Sequence, residues 1–323
     1  MRRSIDHPSR RSPHPSRPGA PAASVLATRL VLVGIAVLAA SPVVAQQTAG
    51  EVETRGCLWE ATRADRPGSS IFILGSLHVT PPDVYPLPAA IDSAYALSET
   101  VVFEADLDSL TSPAFQMAML GAGTYEGDTS LESALDDTTY ARLRSQVESM
   151  GLSMTMFSRM KPWLCAVSLT GVELMKLGFD PANGIDMHVH ERAKEDGKTI
   201  VGLESPAFQL GLFADLDARQ SELMLLRTLV ELEQLDTMVD DLLDAWRRGD
   251  LEKLDGMLLD SFEAFPEMLE IFLTDRNERW VPQLVELAAG GDDLLVVVGA
   301  GHLVGPKGVL ALLEERGYEI VQR

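Results

Sequence analysis

Two stretches decide how this chain folds. They are Ser70-Ile71-Phe72-Ile73-Leu74-Gly75-Ser76-Leu77-His78 and Leu294-Leu295-Val296-Val297-Val298-Gly299-Ala300-Gly301-His302. Each is an unbroken apolar run that stops at a glycine and reaches a histidine three residues later. Runs this short, apolar at every position rather than alternating, read as strands covered on both faces. Thr100–Phe103 (TVVF) has the same character and ends at Glu104; Thr199–Leu203 (TIVGL) ends at Glu204. Tyr318–Val321 reads as a last strand. Between these pieces the spacing predicts helices. One spans Leu87–Leu97, one follows Pro162, and one covers Ile185–Asp196 up to Gly197. A long apolar face runs from Leu223 to Trp246 in three- and four-residue steps, and more helix is expected over 251–260, 262–273 and 278–289. The expected fold is α/β: a central mixed sheet flanked by helices, with large helical insertions at about 110–195 and 205–290. No low-complexity linker divides residues 46–323, which are read as a single domain.

Residues 1–45 stand apart. Positions 1–29 hold six arginines and one acid, Asp6; the apolar run Leu30–Ala40 (LVLVGIAVLAA) follows, then Ser41-Pro42-Val43-Val44-Ala45. A basic region, a short apolar region and a small-residue cleavage site together make a secretory signal peptide. Extended to Ala45, the apolar run approaches the ~20 residues of a membrane span, so an uncleaved anchor stays open as the alternative. The expected location is therefore extracytoplasmic, periplasmic or secreted, with membrane contact only through that segment. Cys57 and Cys165 would meet an oxidising compartment, where a disulfide and two separate buried thiols are both open readings.

The chain has 323 residues and a formal net charge of −21, with 46% hydrophobic and 23% charged residues. That composition excludes a disordered chain or a disulfide-stapled mini-protein. The acidic balance argues against nucleic acid as a partner, because phosphate binding needs a basic face. The repeated Gly-x-x-His pattern directs attention to the strand ends. In open α/β sheets ligands bind beyond the carboxyl ends of the strands, and a glycine there lets the backbone turn or approach closely. His78 and His302 with Glu104 have the donor types of a divalent-metal site; such an ion activates water and polarises a carbonyl. A second carboxylate, Glu204, could then act as general base or support the site from behind. Arg276 and Asn277 stand out in an acidic helical region; the guanidinium could clamp a substrate carboxylate or phosphate or meet a developing oxyanion, and pairing with local acids is an equally open reading. The other two histidines of residues 46–323, His188 and His190, lie two residues apart on a helix and point about 200° apart. They are expected to be surface residues. Asp240, Asp241 and Asp244 read as a solvated helix face.

Taken together, these residues resemble the TraB/GumN family, related to the Tiki extracellular metalloproteases. The resemblance rests on Leu58-Trp59 with Ile71–Val79 (IFILGSLHV), Val101–Asp106 (VVFEAD) and Lys161-Pro162-Trp163. It continues through Gly178-Phe179-Asp180, Asn183-Gly184-Ile185-Asp186, Gly202-Leu203-Glu204 and Gln209. Trp246 with Gly249-Asp250, Arg276-Asn277 with Trp280, Val298–Gly305 (VGAGHLVG) and Gly317-Tyr318 complete it. The resemblance implies an α/β core and a site built from both Gly-x-x-His motifs and a glutamate, here His78, His302 and Glu104. It also implies a peptidase dependent on a divalent metal ion: manganese, cobalt or zinc. The reading is thus a metal-dependent, peptidase-like hydrolase of a peptide or small-molecule substrate. Its metal ligands are His78, Glu104 and His302; Glu104, Glu204 and Arg276 are catalytic, and Arg276 and Asn277 bind substrate. Two alternatives stay open: capture of a peptide or haem without turnover, and an accessory role in envelope-polymer assembly.

Overall fold

A computed structural model describes residues 55–65, 68–259, 262 and 265–323. The signal segment expected over 1–45 lies outside the described residues. Six strands form one mixed sheet: β1 (Leu58–Thr62), β2 (Ile71–Ser76), β3 (Thr100–Ala105), β4 (Thr199–Glu204), β5 (Leu294–Gly299) and β6 (Glu319–Gln322), in the order β4-β3-β5-β2-β1-β6. The first four in that order run parallel; β1 is antiparallel to both β2 and β6. β2 and β5 are buried at every residue, as continuous apolar strands in the middle of a covered sheet must be. The register sets Ser76 beside Gly299, Phe103 beside Val297 and Ala105 beside Glu204. Parallel alignment therefore delivers the carboxyl ends of β2, β3, β5 and β4 to one rim.

Helical insertions occupy the two long gaps, between β3 and β4 and between β4 and β5. Local chemistry starts and stops them: Pro162 opens the Pro162–Lys176 helix at its first position, and Ser112, Asp136 and Ser205 cap their helices with side-chain acceptors. Three expectations need correction. β1 has no counterpart in the sequence reading, because Leu-Trp-Glu-Ala-Thr is short and carries a glutamate; its strand form comes from the two neighbours that flank it. β4 is an edge strand, half-exposed rather than buried, since β3 alone pairs with it. The long helix expected over 223–246 is two, Ala218–Glu231 and Leu235–Arg248, broken by a 3-10 turn at Leu232–Gln234. Its apolar period survives the break because Leu229, Leu232, Leu235, Val239 and Leu242 all reach the same core. Cys57 and Cys165 are separate free thiols, both buried. Among the described residues, no helix is long and apolar enough to cross a membrane.

Apolar side chains gather into two clusters. The larger covers both faces of the sheet. The smaller joins Phe115, Trp163, Leu212, Phe213, Phe272 and Leu273 from the insertions. The rim that carries the strand ends lies against the seam between them.

Candidate functional site

Glu104, next to last in β3, projects across the rim towards β5. Its Oε1 accepts a 2.7 Å hydrogen bond from the Gly299 N–H. His78 stands two residues beyond β2, and its Nε2 lies 3.8 Å from the same oxygen. His302 sits in the 3-10 turn Ala300–His302 directly after β5, with its Nε2 3.7 Å from Glu104 Oε1. The carboxylate thus stands between the two imidazoles. Gly299 faces all three: a Cβ there would lie 3.1 Å from His78 Nε2, 3.3 Å from Glu104 Oε1 and 3.7 Å from His302 Cδ2. The glycine leaves the space around which the trio is arranged.

Each imidazole is oriented from behind. His78 Nδ1 meets Asp186 Oδ2 at 2.7 Å. Asp186 is in the first turn of the Ile185–Glu195 helix, where the positive helix end favours a carboxylate. His302 Nδ1 meets Asn277 Oδ1 at 2.6 Å. Asn277 Nδ2 donates to the Lys307 carbonyl at 2.9 Å, which fixes the amide with its oxygen towards the ring. With Nδ1 of each ring held from behind, the Nε2 edge of each turns inward: that of His78 towards Glu104 Oε1, and that of His302 to accept from Arg276 Nη1 at 3.1 Å. The environments differ. Burial alone would lower His78, but the Asp186 and Glu104 carboxylates raise it to about 9. Burial brings His302 down to about 3, against the pull of Glu104 and with help from Arg276 and His78. Burial disfavours charge on Glu104, yet Arg276, both histidines and the Gly299 N–H hold its carboxyl far below the usual range.

Arg276 ties the rim together. One turn of π-helix, Glu270–Thr274, precedes it, and the Phe272 carbonyl accepts from Arg276 Nη1 at 3.1 Å. Nη2 donates to Glu104 Oε2 at 2.5 Å and to Glu204 Oε2 at 2.9 Å; Nε donates to Glu204 Oε1 at 2.9 Å. Nη1 also lies 3.1 Å from His302 Nε2. Glu204 accepts further bonds from Trp280 Nε1 at 2.9 Å and Gln209 Nε2 at 3.2 Å. Arg276 and Asn277 are both buried, and their polar atoms are spent on protein partners.

The sequence-derived residues His78, Glu104, Glu204, Arg276, Asn277 and His302 therefore converge on one rim. Asp186 is the member that reasoning from sequence left without a role. Its signal was the Asn183-Gly184-Ile185-Asp186 block, where Gly184 is pressed so closely on the loop after β2 that a Cβ would stand 2.5 Å from the His78 carbonyl oxygen. A second correction concerns His190. Expected at the surface, it is buried with its ring edge-on to Phe103 at 5.3 Å. His190 forms a group with Asp106 and Asp108 in which one donor atom from each lies within 4.8 Å of the others. Among the described residues this is the one such trio, so the two imidazoles facing Glu104 stand more openly. Asp108 in that group is also engaged by Lys194 at 2.7 Å.

Over the rim opens a cavity of about 110 Å³. Its polar side carries Ser76, His78, Glu104, Asp186, Arg276 and His302, and the remaining lining is largely apolar. The Ser76 hydroxyl and Asp186 Oδ1 are buried without a hydrogen-bond partner.

The chain is 25% identical over 248 residues to the uncharacterized protein YbaP of Escherichia coli (strain K12), covering 76% of this chain and 89% of that protein. YbaP of Shigella flexneri is 24% identical over the same shares. An uncharacterized protein of Treponema pallidum (strain Nichols) is 23% identical over 267 residues, 77% of this chain and 78% of the relative. No solved structure matches significantly. The TraB/PrgY/gumN family model matches residues 57–322, which takes in every strand and every residue of the rim, and the chain belongs to that family.

Proposed function

We propose that this protein is an extracytoplasmic, metal-dependent hydrolase acting on peptide or amide bonds. The observation that carries the reading is the meeting of His78, Glu104 and His302 around Gly299, at the carboxyl ends of three neighbouring parallel strands. The donor chemistry fits a divalent cation: two imidazole nitrogens and a carboxylate kept ionised. Charge favours it as well. Glu104 and Glu204 pair with the guanidinium of Arg276 while Asp186 pairs with His78, and a divalent cation in place of the proton on His78 offsets the excess of carboxylates. The spacing asks for one adjustment. Two donors bonded at ~2.1 Å to one ion stand at most ~4.2 Å apart, so His78 and His302 must draw together.

When bound, such an ion supplies Lewis-acid chemistry: it makes water a better nucleophile and polarises a carbonyl. The residues of this chain do the rest. His78, Glu104 and His302 are the residues that would hold the ion. Asp186 orients the His78 ring with Nε2 towards Glu104, and Asn277 holds His302 with Nε2 on the Arg276 side, where a bound ion would have to replace the Arg276 Nη1 contact. Arg276 fixes Glu104 and shields one of its oxygens, and Glu204 anchors Arg276. Arg276 and Asn277 thus act as positioning residues rather than as direct contacts to substrate.

The test is to purify the protein, load it with Mn²⁺, measure bound metal after dialysis, and follow cleavage of a peptide mixture by mass spectrometry. Stoichiometric metal and cleavage are expected, and His78→Ala or His302→Ala should abolish both. Metal content and cleavage unaffected by these changes would overturn the reading; metal lost only in His190→Ala would move it to Asp106, Asp108 and His190. A second reading, capture of a ligand without turnover, draws on the apolar walls of the cavity. It predicts a ligand that co-purifies and no product.

A further inference from the structure

The cavity over the rim has two unlike sides. One is the polar rim. The other is the seam between the two apolar clusters, walled by Phe115, Leu212, Phe213 and Leu273 from the smaller cluster and by Leu242 and Leu258 from the larger. At its mouth stand Leu107, Leu110 and Met187, all half-buried, with uncharged Thr111 and Gln209. Among the described residues, no charged side chain lines the cavity apart from those of the rim. This is unusual for a chain with 48 acidic residues. An ionised substrate side chain in the seam would lose its hydration and find no counter-charge, at a cost of several kcal/mol. An aliphatic or aromatic side chain would instead gain by leaving water.

We infer that the seam is a specificity pocket for a large apolar side chain next to the bond presented to the rim, so that the substrate is a peptide with Leu, Phe or Met at that position. The inference rests on the hydrolase reading for the word substrate, but the pocket itself is defined by its walls. Seam and rim line one and the same cavity of about 110 Å³, so a side chain in the seam belongs to a residue next to the bond at the rim. The helical insertions, generic in sequence, therefore supply the selectivity, while the strand ends supply the chemistry.

The experiment uses one internally quenched peptide scaffold varied at a single position to Leu, Phe, Ala, Asp or Lys. Two readouts are taken on the purified protein: cleavage with Mn²⁺, and binding of the fluorescein-labelled Leu and Asp peptides by anisotropy without added metal. The Leu and Phe peptides are expected to exceed the Asp and Lys peptides about 100-fold in kcat/KM, and the Leu peptide to bind at least tenfold more tightly than the Asp peptide. Leu110→Lys, at the half-buried mouth, should raise the Asp peptide relative to the Leu peptide tenfold or more. Leu212→Trp, which fills the seam, should shift preference from Phe towards Ala. Equal cleavage of the Leu and Asp peptides, or unchanged ratios in Leu110→Lys, would overturn the pocket and leave the hydrolase reading standing. Selective binding of the Leu peptide with no cleavage of any peptide would do the reverse.

Discussion

The two Gly-x-x-His corners share a sequence pattern and a place at the end of a buried parallel strand, but they are built to different ends. At the first, Gly75 is packed among backbone and apolar atoms: a Cβ there would meet Leu303 at 3.1 Å, the Ala300 Cα at 3.2 Å and the Cys57 Cβ at 3.2 Å. Its carbonyl accepts from Trp246 Nε1 at 2.6 Å. His78 beyond it keeps 21% of its side chain exposed and leans on a carboxylate. At the second corner the glycine faces the site, and His302 has 5% exposure and leans on an amide. The carboxylate makes His78 basic and open to exchange; the amide and burial keep His302 neutral and fixed. A repeated motif can thus divide labour: one corner admits and releases a charge, the other holds geometry.

Substitutions can break or sharpen that comparison. The largest effect is expected from Arg276→Met, which leaves Glu104 and Glu204 as buried carboxylates without their cation. Loss of about 3–5 kcal/mol is expected in chemical denaturation, and a stability near wild type would mean that the rim is not held as described. Next come the glycines. Gly299→Ala should lower cleavage about 100-fold with little change in stability, because the methyl group enters the space between the site donors. Gly75→Ala should do the opposite, costing about 1–3 kcal/mol through overpacking while the Mn²⁺ content of the folded protein is kept. If the two behave alike, the corners are not distinct. Asp186→Asn should weaken Mn²⁺ binding about 10- to 100-fold, as removal of an orienting carboxylate does; Asn277→Asp should change it less, since His302 keeps an acceptor. Titration of metal into each variant separates the two.

The smallest effect lies away from both corners. Burial raises Glu231 to about 7, against the opposing pull of Arg227, whose Nε donates to it at 2.7 Å. A carboxyl raised above its unfolded value contributes stability that is complete below its ordinary pKa and is lost as pH rises through about 7. The wild-type Tm should therefore fall more between pH 5 and pH 8 than that of Glu231→Gln, with cleavage at either pH unaffected by the change. A steeper fall in Glu231→Gln would reverse the sign and refute the assignment.

The chemistry was legible in sequence where the strands were. Continuous apolar runs mark β2, β3 and β5, and parallel neighbours end on one side, so His78, Glu104 and His302 could be brought together before any coordinates. Asp186 was not legible in this way. It reaches His78 only because the 180–184 turn docks beside β2, with Ile185 N–H donating to the Leu77 carbonyl at 3.0 Å and Thr80 bridging Asp180. No periodicity encodes that contact across more than a hundred residues. His190 misled for a related reason: its spacing from His188 gave the correct divergence of the two side chains, but whether a helix face meets the sheet or the solvent depends on packing. β1 was hidden because its pattern is ambiguous and one of its two partners, β6, is far away in sequence.

That last pairing has a bearing on how the protein comes to be folded. β1 lies between β2 and β6, so Glu60 pairs with Val321 and Trp59 with Gln322. Contacts between such distant parts of a chain must wait until both have been synthesised, and they slow folding because a long loop has to close. The sheet is left with an open β1 edge until residues 319–322 arrive. Closure of the β1 edge therefore waits for residues 319–322, long after β1 and β2 are able to pair.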